Sequence, residues 1–110
     1  MNPDERLAAL RQLVVEEPDD PLTQFLYGSE AAALGFDEEA RAAFAAAIRL
    51  DPRYAAAYRH LGSALERLGR GEEAIGIYRR GVAVAERTGD LQAGKEMAAF
   101  LRRIEKQGGG

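Results

Sequence analysis

The chain superposes on itself at an offset of 34 residues. Laying residues 18–51 over 52–85 brings Pro18 onto Pro52, Gly28-Ser29 onto Gly62-Ser63 and Leu34-Gly35 onto Leu68-Gly69. Glu38-Glu39-Ala40 falls on Glu72-Glu73-Ala74, with Phe44 opposite Tyr78 and Ile48 opposite Val82. These coincidences sit on small, apolar and turn-forming residues, the types that a repeated packing geometry needs. A unit of this length cannot bury its apolar face alone and must stack on its neighbours. The repeat therefore points to an array of stacked units.

The punctuation between the apolar stretches divides the chain into six helices. Asn2, Pro3 and Glu5 have the spacing of a capping box, and the first helix runs from Pro3 to Glu17 with Leu7, Leu10, Leu13 and Val14 on one buried face. Pro18 stops it, since the residue before a proline is pushed out of the helical region. Asp20 and Pro21 open the second helix, and Gly35 ends it with a left-handed residue after Leu34. Asp37 is expected to cap a third, to Leu50, with Glu38 and Glu39 at the positive end of its dipole. The fourth spans Tyr54 to Leu68, the fifth Gly71 to Thr88, and Asp90 caps a sixth that reaches Lys106. No stretch alternates as a strand does, so the fold class is all-α.

Composition excludes several functions. Net charge is −3, with acidic and basic residues interleaved, whereas phosphate binding needs a concentrated basic face; no nucleic-acid role is expected. With no cysteine and one histidine, neither a disulfide nor a zinc site is expected, and no other metal or cofactor is implied. No run approaches the ~20 apolar residues of a membrane span, and the first residues lack the basic and apolar regions of a secretory signal. The expected location is the cytoplasm, without membrane association.

Counted from Pro21 and from Ala55, the eighth residues are Gly28 and Gly62, the twentieth Ala40 and Ala74, the twenty-fourth Phe44 and Tyr78, and the twenty-seventh Ala47 and Gly81. This pattern of small residues facing large rings, closed by Pro52 with Pro18 in the same phase before it, resembles the tetratricopeptide repeat family. The resemblance implies a right-handed αα superhelix: a single domain over residues 1–107, with repeats at 18–51 and 52–85, an N-terminal helix at 3–17 and a capping helix at 90–106. By phase the first helix is the second half of a preceding repeat and the sixth is the first half of a following one. Residues 108–110, all glycine, are expected to form a disordered tail. Three positions depart from the family pattern. Gln24 stands where an aromatic is usual, Ala31 and Leu65 where tyrosine is, and Glu86 where a third proline would fall. The departures suggest edge repeats exposed on one side.

In this family the first helices of successive repeats line a concave groove that holds a peptide or a helix of a partner protein. Transferred by phase, the groove residues are Leu22, Phe25, Ser29, Arg59, His60, Ser63 and Arg67, with Leu26, Ala33, Ala56 and Glu66 beside them and Asp90, Ala93 and Met97 added by the sixth helix. Phe25 is an apolar anchor on this reading, or else packs on the first helix. Arg59 and Arg67, two turns apart on one helical face, suit an acidic partner residue, unless they form surface ion pairs with Glu66 or Asp90. Members that grip the C-terminal carboxylate of chaperones use lysine, asparagine, asparagine, lysine and arginine where this chain has Phe25, Ser29, His60, Asp90 and Gly94, so that specialised use is not expected. No catalytic residue is assigned, because no nucleophile–base pair is visible. The function expected is a non-enzymatic protein-interaction scaffold. The alternative is self-association, as a homodimer through exposed edge helices, with Gly76, Gly81 and Gly94 marking places of close approach.

Overall fold

The structure is a computed structural model that describes residues 1–108. The six helices are α1 (Pro3–Glu16), α2 (Pro21–Ala33), α3 (Asp37–Leu50), α4 (Ala55–Arg67), α5 (Gly71–Thr88) and α6 (Leu91–Gly108). Gly108 is thus the last residue of α6, while Gly109 and Gly110 of the expected tail lie outside the described residues.

Local chemistry sets the helix ends. The Asn2 side chain accepts from the Glu5 backbone N–H at 2.8 Å and donates back to the Glu5 carboxylate at 3.1 Å, closing a reciprocal cap. Asp20 accepts from the Leu22 N–H at 3.1 Å and from the Thr23 hydroxyl at 2.8 Å. Gly35 and Gly69 adopt φ of 85° and 75°, which turns the next N–H back onto the helix: Phe36 N reaches Ala31 O at 2.9 Å and Arg70 N reaches Leu65 O at 2.8 Å. The expected cap of α3 is different. Phe36 occupies that position without a side-chain bond, and Asp37 is already helical.

Each helix packs on the next in the chain, and α2 also touches α4, as α4 touches α6. Among the described residues the backbones of α1, α3 and α5 do not approach one another in this way, so the layer of α2, α4 and α6 is the tighter, inner one and the array curves toward it. The small-against-large pattern explains the packing within each pair. A methyl group on Gly28 would lie 2.8 Å from Phe44 Cε1, and one on Gly62 would overlap the Tyr78 ring. Phe44, Tyr78 and Met97 are the largest side chains fully removed from solvent. Gly81 admits Met97 of α6 beside Tyr58 of α4, and Gly94 brings α6 against Ala85. Gly76 has open space around it and marks no close approach.

Of the departures from the family pattern Glu86 is exposed on α5, but Gln24, Ala31 and Leu65 are not exposed edges. Gln24 is buried and donates from Nε2 to Pro18 O at 3.1 Å, as the Tyr58 hydroxyl donates to Pro52 O at 2.8 Å. Ala31 and Leu65 are buried as well. In both repeats the fourth residue satisfies the carbonyl of the proline that ends the preceding helix.

Two carboxylates fasten the flanking helices to this core. Glu39 accepts from the Tyr27 hydroxyl at 2.5 Å and from Arg11 of α1 at 2.7 and 2.8 Å. Glu66 accepts from the Tyr78 hydroxyl at 2.5 Å and from Arg103 of α6 at 2.9 and 3.1 Å. Burial and the carboxylate acceptor together push the Tyr27 phenol up to about 12 and that of Tyr78 higher still. Leu7 is the buried anchor of α1; Leu10, Leu13 and Val14 are only half-buried.

Candidate functional site

On the inner layer a shallow crevice of about 410 Å³ runs between α2 and α4, lined by Ser29, Ala32 and Ala33 on one wall and Arg59, His60, Ser63 and Arg67 on the other. Side chains at i, i+3/i+4 and i+7 share one helical face, which is why Arg59, His60, Ser63 and Arg67 all reach it. Five of the seven groove residues expected from the sequence meet here. Leu22 does not line the crevice: it stands 53% exposed near the start of α2, one turn from Leu26 at 46%. Phe25 is half-buried in an aromatic cluster, 4.9 Å from the rings of Tyr54 and His60 and 5.6 Å from Phe44, rather than on the first helix.

Arg59 organises the polar wall. Its Nη2 donates to His60 Nε2 at 2.8 Å, and its Nε to Glu96 of α6 at 2.9 Å. A guanidinium only donates, so His60 must present a lone pair at Nε2 and carry its proton on Nδ1. Burial against Phe25 and Phe44, reinforced by the Arg59 charge, holds the imidazole down at about 4. His60 is therefore neutral at physiological pH. Arg67 donates from Nε to Asp37 Oδ1 at 2.8 Å. Neither arginine pairs with Glu66 or Asp90, because Glu66 is held by Tyr78 and Arg103, and Asp90 caps α6 through the Ala93 N–H at 3.1 Å. Ser63 Oγ lies 3.3 Å from the Tyr78 oxygen; since that phenol donates to Glu66, the serine is the donor.

The sixth helix contributes less than its phase suggests. Ala93 and Met97 are core residues, 6% and 0% exposed, and cannot meet a ligand in the groove. The reason is the length of α5, 18 residues against 14 in α3, which displaces α6 relative to the 34-residue phase. Ala32 was not foreseen; as an alanine among alanines it gives no sequence signal. No cluster of metal-ligating side chains occurs among the described residues, and no helix there is long and apolar enough to cross a membrane.

Residues 28–69 match the profile of the TPR repeat. The TPR repeat-containing protein PA0015 of Pseudomonas aeruginosa is 30% identical over 100 residues, which are 91% of this chain and 95% of that protein. The chain belongs to the tetratricopeptide repeat family. Among solved structures, BPP2914 of Bordetella parapertussis is 30% identical and superposes with a TM-score of 0.78 over 92% of this chain and 88% of its own. The TPR2B domain of yeast Sti1, solved in complex with pHsp70, superposes with a TM-score of 0.84 over 92% of this chain and 81% of that one. At 18% identity that likeness shows the repeat fold alone. As a tetratricopeptide repeat fold the chain is a protein–protein interaction module.

Proposed function

We propose that the chain is a non-enzymatic scaffold whose inner crevice holds an extended peptide or a helix of a partner protein, contacted by Ser29, Arg59, His60, Ser63 and Arg67, with Leu22 at its edge and Phe25 supporting the floor. The observation that carries this reading is the convergence of three kinds of group on one concave surface. Ser29 and Ser63 supply hydroxyls, Arg59 and Arg67 supply guanidinium groups, and exposed Leu22 and Leu26 supply apolar area a short distance away. A ligand with an apolar residue beside a carboxylate or a row of backbone carbonyls matches that array. No reaction is assigned to the chain: His60 is turned inward, with Nε2 engaged by Arg59 and its ring packed on aromatics.

Selection of peptides from a random display library tests the proposal. Clones enriched on the wild-type chain should lose binding to an Ala33→Trp variant, because Ala33 is an exposed crevice residue whose enlargement fills the groove without entering the core. Retained binding to a variant of unchanged helical content would move the ligand site off this face.

A further inference from the structure

The two ends of the array carry opposite charge. Residues 1–20 contain six acidic and two basic side chains, and both basic ones, Arg6 and Arg11, are taken up by Glu30 and Glu39. Residues 79–107 contain seven basic and four acidic side chains. Among the described residues none of the six carboxylates at the first end forms an ion pair, and neither do Lys95, Arg102 and Lys106 at the other.

The charges are also placed alike. On α1 the exposed residues Glu5, Ala8, Gln12 and Glu16 share one helical face; on α6 the exposed residues Lys95, Ala99, Arg102 and Lys106 share another. Glu5 to Glu16 and Lys95 to Lys106 each span eleven residues, about 16 Å of helix. Laid antiparallel, Glu16 meets Lys95, Glu5 meets Lys106, and the small residues Ala8 and Ala99 let the backbones approach. Each end adds an unpartnered apolar feature at the same level. Val15 of α1 is 74% exposed, and a largely apolar crevice of about 240 Å³, lined by Val82, Leu91 and Ala98 together with Lys95, Glu86 and Asp90, opens beside the basic face.

We propose that copies of this chain stack end to end, the acidic face of α1 of one copy seated antiparallel on the basic face of α6 of the next. The contact is heterologous, so each added copy presents a new free end and growth does not stop at two. It uses neither wall of the α2–α4 crevice and stands whether or not that crevice binds a peptide.

Sedimentation velocity of the full chain over a concentration series tests this, at about 0.01 M and about 1 M salt, between which the screening length falls from ~30 to ~3 Å. At low salt the average mass should climb past two copies with concentration, and at high salt it should return to one. Glu5→Lys with Glu16→Lys reverses the charge of the α1 face, so that both faces are basic, and Lys95→Glu with Lys106→Glu reverses that of the α6 face, so that both are acidic; all four positions are exposed. Either variant alone should remain a single copy, while an equimolar mixture should regain stacking with copies alternating. A wild type of constant mass at low salt, growth that halts at two copies, or a mixture no heavier than its separate components would overturn the proposal. Helical content measured on each variant separates these outcomes from misfolding.

Discussion

Gly62→Ala and Gly76→Ala are the same substitution in the same kind of backbone, and they should change stability in opposite directions. Both glycines lie inside helices, where alanine is worth about 0.8–1.0 kcal/mol more than glycine. Around Gly76 nothing stands within 4 Å of the position a methyl would take, so the whole gain should survive, about 1 kcal/mol and a rise in Tm of about 4 °C or more for a domain of this size. At Gly62 the methyl would overlap the Tyr78 ring. That ring cannot slide aside, because it is fully buried and its hydroxyl is fixed 2.5 Å from Glu66. Overpacking of this kind costs about 1–3 kcal/mol, and loosening a hydrogen bond to a charged acceptor about 1.5–3 more. Set against a helical gain of about 1 kcal/mol, the net loss should be about 1.5–5 kcal/mol. Urea denaturation followed by far-ultraviolet circular dichroism, with slopes that agree between variants, measures both. Equal stabilities for the two variants, or a Gly76→Ala variant less stable than wild type, would refute the close-approach account of these glycines.

Two further perturbations probe the buried polar groups. His60 should titrate near 4 in the folded chain, against its ordinary 6.5, as read from its ring resonances by NMR; a midpoint near 6.5 would contradict the desolvated, Arg59-bonded ring. Because the folded value lies below the unfolded one, this contribution to stability is complete above about 6.5 and is lost as pH falls toward 4, and His60→Phe should flatten that part of the pH profile. Gln24→Leu should cost about 1 kcal/mol by leaving the Pro18 carbonyl without its partner. Gln24→Tyr should recover that loss in the manner of Tyr58, and equal denaturation midpoints for the two Gln24 variants would dismiss the bond as a stabilising contact.

What could be seen in the sequence was whatever depends on neighbours along the chain. Asn2, Asp20, Pro18, Pro52, Gly35 and Gly69 each act within one helical turn, and the helix boundaries they mark are within a residue or two of those observed. Asp37 misled because its carboxylate, equally suited to capping, is drawn off by Arg67, 30 positions away. Gln24 misled because its type departs from the family while its hydrogen bond does not. The partners of Arg59 and Arg67 depend on how far each helix is rotated and shifted against the next. A repeat phase gives only an average value for that shift. It failed at α6, which starts two residues late because α5 is four residues longer than α3 and the loop after it two shorter; that shift turned Ala93 and Met97 out of the expected groove and into the core.

Those pairings set a condition on any ligand of the inner crevice. Arg59 and Arg67 already hold Glu96 and Asp37 at 2.9 and 2.8 Å, so an acidic residue of a peptide that takes the same edge of either guanidinium replaces one carboxylate with another. The four side chains are between 22% and 44% exposed, where such pairs contribute about 0–1 kcal/mol, and the exchange is close to neutral. Loss of the Glu96 contact also frees one tie between α4 and α6, though Arg103 on Glu66 and Met97 against Gly81 keep α6 in place. Net affinity must then come from apolar area, and exposed Leu22 and Leu26 beside the crevice are where it is offered. Under the groove reading the arginines act as a selectivity filter: they tolerate an acidic residue and repel a basic one, and a carboxylate alone, without an apolar neighbour to cover the α2 leucines, gains almost nothing.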